Sequence, residues 1–245
     1  MKSKKIISTI LLLGIMLMSS FPIYATTDTT NEYIKNNQGS AQDVLNNEKN
    51  LKYIEEVQWN NLVMPRANYV PTKLNVTAYR QETTYWCGPA NIKQVVQYIN
   101  GSSSSQSTYA SSMGTISSDG TYVYKMTNEL NKRQSKFTYS YKEISNSMTT
   151  TQFMEIVKNS IFSSKPMILH ANTKSLYLYN GTALGHYLTL NGFAYDVQAP
   201  GPQSPPKIYY TDPYYKDYGR GSVFGTHEEG VSAVLSCVKN RFIIY

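Results

Sequence analysis

The apolar pattern of this chain changes its period between residues 161 and 166, and this change constrains the fold most strongly. Before it, apolar residues recur at helical spacing, as they do between Ile92 and Ile99. After it, short apolar runs bounded by turns predict strands over 166–170, 185–193, 207–212 and 240–245. Helices followed by strands in one chain predict an α+β domain.

Four helices and two further strands are predicted between residue 73 and the change in period. One helix has Pro89 in its first turn and ends at Asn100, where Gly101 supplies a C-cap. Thr149 and Gln152 have the spacing of a capping box, which predicts another helix after them. Short helices are predicted over 106–113 and 122–132, and strands over 73–79 and 136–142.

The first 25 residues have the features of a secretory signal peptide. Three lysines precede an apolar run from Ile6 to Met18, and Ala25 offers a small residue for cleavage. The run is shorter than the roughly 18 apolar residues of a membrane span, so we expect no stable membrane insertion after cleavage. The sequence therefore predicts a secreted, extracellular protein.

Residues 26–67 separate the signal peptide from the main domain, which we place at 68–245. Residues 26–66 carry six acidic and four basic side chains, whereas 67–245 carry ten acidic and sixteen basic ones. An amphipathic helix is predicted over 40–58. Three interpretations stay open: a plain tether, a folded N-terminal extension, and an inhibitory propeptide that lies on the basic domain.

The charge pattern gives no sign of a nucleic-acid partner. The formal net charge is +7, but no Lys/Arg cluster is interleaved with aromatic residues. We expect no cofactor and no metal, and the oligomeric state stays open.

Cys87 lies where a nucleophile gains most from the backbone. It starts the predicted helix within Trp86-Cys87-Gly88-Pro89-Ala90, and a helix N-terminus stabilises the negative charge of a thiolate. Cys237 lies in an apolar stretch that is typical of an inert buried thiol. A structural disulfide between the two cysteines is the alternative interpretation.

A thiolate nucleophile works with a histidine that a third group orients. His186 opens one predicted strand, and Asp212 ends the next one directly before Pro213. Because Pro213 imposes extended geometry on Asp212, we expect both side chains at one rim of the sheet.

Other residues compete for these two roles. His170 ends a predicted strand and is the second choice for the histidine, while His227 is interpreted as a surface residue of a polar loop. Asn191 and Asp196 are alternatives to Asp212 as the orienting group.

Gln81 supplies a candidate for the last element of such a site. It precedes Cys87 by six positions, and its amide together with the Cys87 N–H offers two donors to a developing oxyanion.

Four blocks of the sequence resemble the papain-like cysteine peptidase superfamily. They are Gln81, Trp86–Ala90, Gly185–Phe193 and Thr211–Tyr214, in this order. More narrowly, they resemble stand-alone secreted relatives of the double-glycine leader peptidases, which process bacteriocins and are fused to their exporters. The resemblance covers roughly residues 70–245.

This resemblance implies a papain-like α+β fold with a helical part that carries the cysteine and an antiparallel sheet that carries histidine and aspartate. It also implies Gln81 as oxyanion donor, Cys87 as nucleophile, His186 as base and acid, and Asp212 as orienting group. Cleavage after Gly-Gly is not carried over, because this chain has a predicted signal peptide of its own.

The function that the sequence predicts is a secreted cysteine peptidase acting on a peptide or protein. A peptidoglycan stem-peptide endopeptidase or amidase and a transglutaminase-like acyl transferase use the same residue types and stay open. A non-catalytic binding domain on the same scaffold predicts a missing catalytic residue, and none is missing.

Overall fold

The computed structural model describes residues 72–194 and 206–245. The predicted signal peptide, the 26–67 segment with its helix, the boundary at residue 68, and Asp196 all lie outside the described residues. The described residues form five α-helices and seven strands of one sheet. The helices are α1 Cys87–Asn100, α2 Gln106–Met113, α3 Val123–Arg133, α4 Thr150–Phe162 and α5 Val231–Val238.

All strand pairs of the sheet are antiparallel. The strands are β1 Thr72–Lys73, β2 Tyr141–Ile144, β3 Met167–Asn172, β4 Gly185–Ala194, β5 Lys207–Asp212, β6 Gly225–Gly230 and β7 Arg241–Ile244. Their order is β2-β7-β3-β4-β5-β6, and β1 pairs with β4. Helices and an antiparallel sheet in one domain confirm the predicted α+β class.

The two faces of the sheet support two apolar cores. Along β3, Ile168 packs with the cluster of α1, α2 and α3, while Met167 and Leu169 pack with the cluster of α4 and α5. This division follows from the alternation of side chains along a strand. The central strand β4 contributes to both cores, and it carries His186 at one end.

Local signals set the ends of two helices as the sequence predicts. Gly101 ends α1 in the left-handed conformation at φ 73°, and its N–H donates to the carbonyl of Gln97. Thr149 and Gln152 form the predicted capping box of α4. No helix in the two described ranges is both long enough and apolar enough to cross a membrane.

Two predicted strands are wrong in their extent because other groups take their backbone hydrogen bonds. The 73–79 strand is reduced to Thr72–Lys73, since the Val76 N–H turns back to the carbonyl of Leu74 at 2.9 Å. The 136–142 strand begins only at Tyr141. There the N–H groups of Phe137 and Tyr139 donate to side-chain oxygens at the end of α3.

The polar-loop interpretation of His227 is wrong, because β6 is a strand of the sheet and His227 pairs with Tyr210 of β5. The sequence Gly-Thr-His-Glu-Glu-Gly has no alternation of apolar and polar residues, so it does not predict a strand. The alternation is missing because β6 lies at the edge of the sheet and is half exposed along its length. The helix α5 around Cys237 was also not predicted, because eight apolar-rich residues do not distinguish a short helix from a strand.

Candidate active site

Cys87 is the first residue of α1 and is partly exposed. Trp86 precedes it as N-cap without a side-chain hydrogen bond. The N–H groups in the first turn of a helix have no acceptor within the helix, and Pro89 has no N–H at all. The thiol therefore lies where the backbone N–H groups of Cys87 and Gly88 and the helix dipole favour negative charge.

Gly88 is required for the packing of the first turn of α1, the turn that carries Cys87. A Cβ atom on Gly88 would lie 2.5 Å from Oγ1 of Thr121 and 2.8 Å from its Cβ. The same Thr121 accepts a hydrogen bond from the Tyr187 hydroxyl at its carbonyl, at 2.7 Å. The glycine thus lets one loop contact both the nucleophile helix and the strand of His186.

His186 and Asp212 are brought together at the predicted rim of the sheet. His186 is 3% exposed and Asp212 is fully buried. Nε2 of His186 lies 2.9 Å from Oδ1 of Asp212, and Cys87 also acts electrostatically on the His186 ring. Since Nε2 is occupied by the carboxylate, Nδ1 is the nitrogen left for the thiol.

The charges around His186 favour its protonated form. Burial alone lowers the pKa of His186, but the charge and hydrogen bond of Asp212, and then the interaction with Cys87, outweigh burial and raise the pKa to about 10. An imidazolium beside a thiolate is the ion pair that a cysteine nucleophile needs.

Asp212 is held by three donors, which compensates for burying its charge. His186 occupies Oδ1, the Tyr214 N–H also donates to Oδ1 at 2.8 Å, and the Tyr179 hydroxyl donates to Oδ2 at 2.9 Å. Burial and then the Asp212 charge raise the pKa of Tyr179, so its hydroxyl remains a donor.

Aromatic rings surround the histidine–aspartate pair. Tyr214 meets the His186 ring edge-on with 5.3 Å between centroids, and Tyr179 and Tyr218 stack on each other at 5.3 Å. Rings packed in this way keep water away from the hydrogen bond between His186 and Asp212, which strengthens it.

Asn91 connects the helix of Cys87 to the strand of His186. Its Nδ2 donates to the carbonyls of Cys87 and Tyr187, both at 2.8 Å, and its Oδ1 accepts from the Thr189 hydroxyl at 2.6 Å. Asn91 is fully buried. It therefore fixes the nucleophile helix against β4 directly beside His186.

Gln81 is buried next to the same rim, and its N–H donates to the carbonyl of Pro213 at 2.9 Å. Its Nε2 donates to the Thr83 carbonyl at 2.8 Å and retains a second hydrogen. Gln106 of α2 holds the two neighbours of Gln81, because it donates to the Arg80 carbonyl and accepts from the Glu82 N–H.

The other candidates have different surroundings. His170 accepts a hydrogen bond from Arg241, and His227 lies near the Val223 carbonyl. Asn191 donates to the Leu74 carbonyl and holds the chain after β1. None of these three contacts involves Asp212.

The two cysteines do not form a disulfide. Cys237 is buried, and burial raises the pKa of its thiol to about 11, as the apolar stretch around it indicates. Cys87 is the thiol that solvent reaches.

Three residues of this site were not predicted. Asn91 carries a signal, since it is polar on the apolar face of α1 and lies four positions after Cys87. Gln106 and Tyr179 have none, because their contacts with the site join distant parts of the chain.

The comparisons with known proteins define the class as cysteine-type peptidase. The chain belongs to the Peptidase_C39 like family, whose model matches residues 73–226. This range includes Gln81, Cys87, His186 and Asp212. The predicted resemblance to papain-like, bacteriocin-processing peptidases is confirmed at this level. No curated protein matches the chain.

Three solved structures are similar over most of their own length. A double-glycine motif protease from an AMS/PCAT transporter, in complex with the leader peptide, is 13% identical with a TM-score of 0.44 and covers 71% of this chain and 94% of that one. The peptidase domain of Streptococcus ComA, a bi-functional ABC transporter involved in a quorum sensing pathway, is 18% identical with a TM-score of 0.43. The match covers 70% of this chain and 97% of that one. A recombinant stem bromelain precursor is 10% identical with a TM-score of 0.43, and the match covers 90% of this chain and 98% of that one.

Proposed function

We propose that this cysteine peptidase is secreted and hydrolyses peptide bonds through a Cys87–His186–Asp212 triad with Gln81 as an oxyanion donor. The observation that carries the proposal is the buried, hydrogen-bonded pair of His186 and Asp212, whose imidazole also interacts with Cys87 at the start of α1. Membership of the Peptidase_C39 like family supports the same chemistry.

The acylation step follows from the charges of the site. The Cys87 thiolate attacks the scissile carbonyl carbon, and the electron pair of the C=O bond moves onto its oxygen. The Cys87 N–H and the free hydrogen of Gln81 Nε2 stabilise that oxyanion. As the C–N bond breaks, the His186 imidazolium gives its Nδ1 proton to the leaving amine, and a thioester remains on Cys87.

Deacylation reverses the proton transfer. Neutral His186 takes a proton from water, and the hydroxide attacks the thioester carbonyl and releases the carboxylic acid. The proton returns the site to its thiolate and imidazolium form. Asp212 does not take the proton; it holds the ring with Nδ1 towards the sulfur and stabilises the imidazolium.

Labelling with an epoxide-type inhibitor of thiol proteases tests the nucleophile and the class together. We expect a single adduct on Cys87, found by mass mapping, and no peptide cleavage by a Cys87→Ala chain. Cys237 is the internal control, because a buried protonated thiol reacts slowly. Cleavage that persists in Cys87→Ala would overturn the proposal. Release of an amide in place of an acid, when an amine is added, would indicate acyl transfer.

Secretion rests on the predicted signal peptide of residues 1–25. We expect protein recovered from the medium to begin at Thr26, or near residue 68 if the 26–67 segment is a propeptide that is removed. N-terminal sequencing distinguishes these starts. Protein found only inside the cell, with Met1 retained, would contradict secretion.

A further inference from the structure

A basic cavity lies beside the candidate active site. It has a volume of about 520 Å³ and is formed by the end of β3, the turn after it, the end of α5 and the start of β7. Lys174, Lys239 and Arg241 line it together with His170, and its lining includes no acidic residue. A cavity with three cations and no carboxylate has a strong preference for an anionic group.

The cations of the cavity have no acidic partner among the residues that the structure describes. The ion pairs found across 72–194 and 206–245 involve neither Lys174 nor Lys239 nor Arg241. Nη1 of Arg241 donates to Nε2 of His170 at 3.2 Å, which assigns the ring proton of His170 to Nδ1. That Nδ1 is buried, and no group in the described part of the chain accepts its hydrogen. A buried donor without an acceptor is costly, and an anion bound within reach of Nδ1 would remove that cost.

The cavity adjoins the catalytic pair. His170 stacks on Tyr187 of β4 with 4.9 Å between centroids, and Tyr187 directly follows His186. A Cβ atom on Gly185, the residue before His186, would lie 3.9 Å from Nη1 of Arg241. Burial and the Cys87 charge raise the pKa of Tyr187 while Arg241 lowers it, so both charges act on one hydroxyl.

We propose that this cavity binds a carboxylate of the peptide substrate next to the scissile bond and so gives the enzyme a preference for acidic substrates. The inference rests on the proposed peptidase function. Arg241 offers a planar pair of donors that matches a carboxylate, and Lys174 and Lys239 add charge at the rim. The carboxylate belongs either to an Asp or Glu side chain or to a free peptide C-terminus.

Cleavage-site profiling of a mixed peptide library tests the proposal and separates the two sources. The library is used with free and with amidated C-termini, and the sites are read by mass spectrometry. We expect Asp and Glu to be enriched about tenfold at one position near the cleaved bond, in both forms, for a charge-assisted contact. Sites at a fixed distance from free C-termini, lost on amidation, would assign the cavity to the terminal carboxylate.

Charge reversal supplies the matched variants. Arg241→Glu is expected to abolish the acidic enrichment and to favour Lys and Arg at the same position. Lys239 is the C-cap of α5, and Lys239→Glu is expected to weaken the enrichment in the same direction. Lys132→Glu, at an exposed position of α3, is the control and should leave the profile unchanged.

The outcomes are distinguishable. Cleavage without acidic enrichment or C-terminal dependence would overturn the cavity proposal and leave the peptidase intact. An enrichment that survives both Arg241→Glu and Lys239→Glu would also overturn it. Absence of any cleavage that depends on Cys87 would overturn the proposed function itself, and the cavity proposal with it.

Discussion

Two histidines on neighbouring strands have opposite surroundings, although β3 and β4 bring them close together. His186 faces Asp212 and Cys87, which outweigh its burial and raise its pKa to about 10. Burial, the Arg241 charge and the His186 charge lower the pKa of His170 to about 4. Burial acts in the same direction on both rings, so the sign of the neighbouring charge decides which one is an imidazolium.

The two shifts affect folding stability in different pH ranges. The pKa of His186 is raised above 6.5, so its contribution to stability is fully present below about 6.5 and is lost as the pH rises through about 10. The pKa of His170 is lowered, so stability falls as the pH decreases from about 6.5 towards 4, since only the unfolded chain takes up that proton.

Removing the imidazolium has the largest expected effect. His186→Ala should lower kcat/KM by roughly 10²–10⁴, because the leaving amine loses its proton donor. His227→Ala is the matched control on β6 and should leave the rate close to that of the wild type. A loss on His227→Ala with retained activity in His186→Ala would reverse the assignment.

The oxyanion donor comes next. Gln81→Ala should reduce kcat by roughly 10²–10³ with little change in KM, since the donor acts in the transition state. Steady-state kinetics on one peptide measures both constants. Gln97→Ala is the control, because the Gln97 amide of α1 donates to the Gly101 carbonyl and accepts from the Ser103 hydroxyl and contacts no residue of the site. An unchanged kcat in Gln81→Ala would show that its amide points away from the substrate.

Asn91 tests whether the position of α1 relative to β4 matters for catalysis as much as the charges of the site do. Asn91→Ala removes the hydrogen bonds of its amide to the carbonyls of Cys87 and Tyr187 and leaves the Thr189 hydroxyl without its acceptor, so we expect a loss of about 1–3 kcal/mol in the free energy of unfolding. As a positioning residue it should lower kcat while KM is kept. Thr189→Val removes one of the three bonds and should have a smaller effect in both measurements. Equal kcat in wild type and Asn91→Ala, despite lower stability, would make Asn91 purely structural.

Tyr179 supplies one of three donors to Asp212, so its removal has the smallest expected effect. Tyr179→Phe should lower kcat about two- to tenfold, because a single hydrogen bond contributes about 0.5–1.5 kcal/mol. It should also raise the pH at which activity falls, since the carboxylate then attracts the imidazolium more strongly. Tyr177→Phe, two residues away and 61% exposed, is the matched control. An effect as large as that of His186→Ala would contradict a secondary role.

The elements that carry the site were predictable because their signals are local. A proline in the first turn fixed the start of the Cys87 helix, and Asp212 before Pro213 fixed the end of β5. The strands over 73–79 and 136–142 are shorter than predicted because some of their backbone N–H groups donate to nearby groups outside the sheet, as at Tyr139, which donates to the Asn131 side chain.

The residues that support the site were not predictable, because their contacts join distant parts of the chain. One tyrosine among twenty-two gives no sign that it donates to Asp212. Arg241 lies 71 positions from His170, and only the pairing of β3 with β7 brings them together. The opposite pKa shifts of the two histidines therefore arise from the fold and cannot be inferred from the residues next to either histidine in the sequence.

Titration of the histidine rings by NMR tests this contrast most directly. The chain has three histidines, and His170→Gln and His227→Gln assign the signals by removing one at a time. We predict that His186 remains protonated until the pH rises to about 10, whereas His170 remains neutral until the pH falls to about 4. In Asp212→Asn the titration of His186 should move to lower pH. Titration of both rings near 6.5, with no effect of Asp212→Asn, would contradict the account.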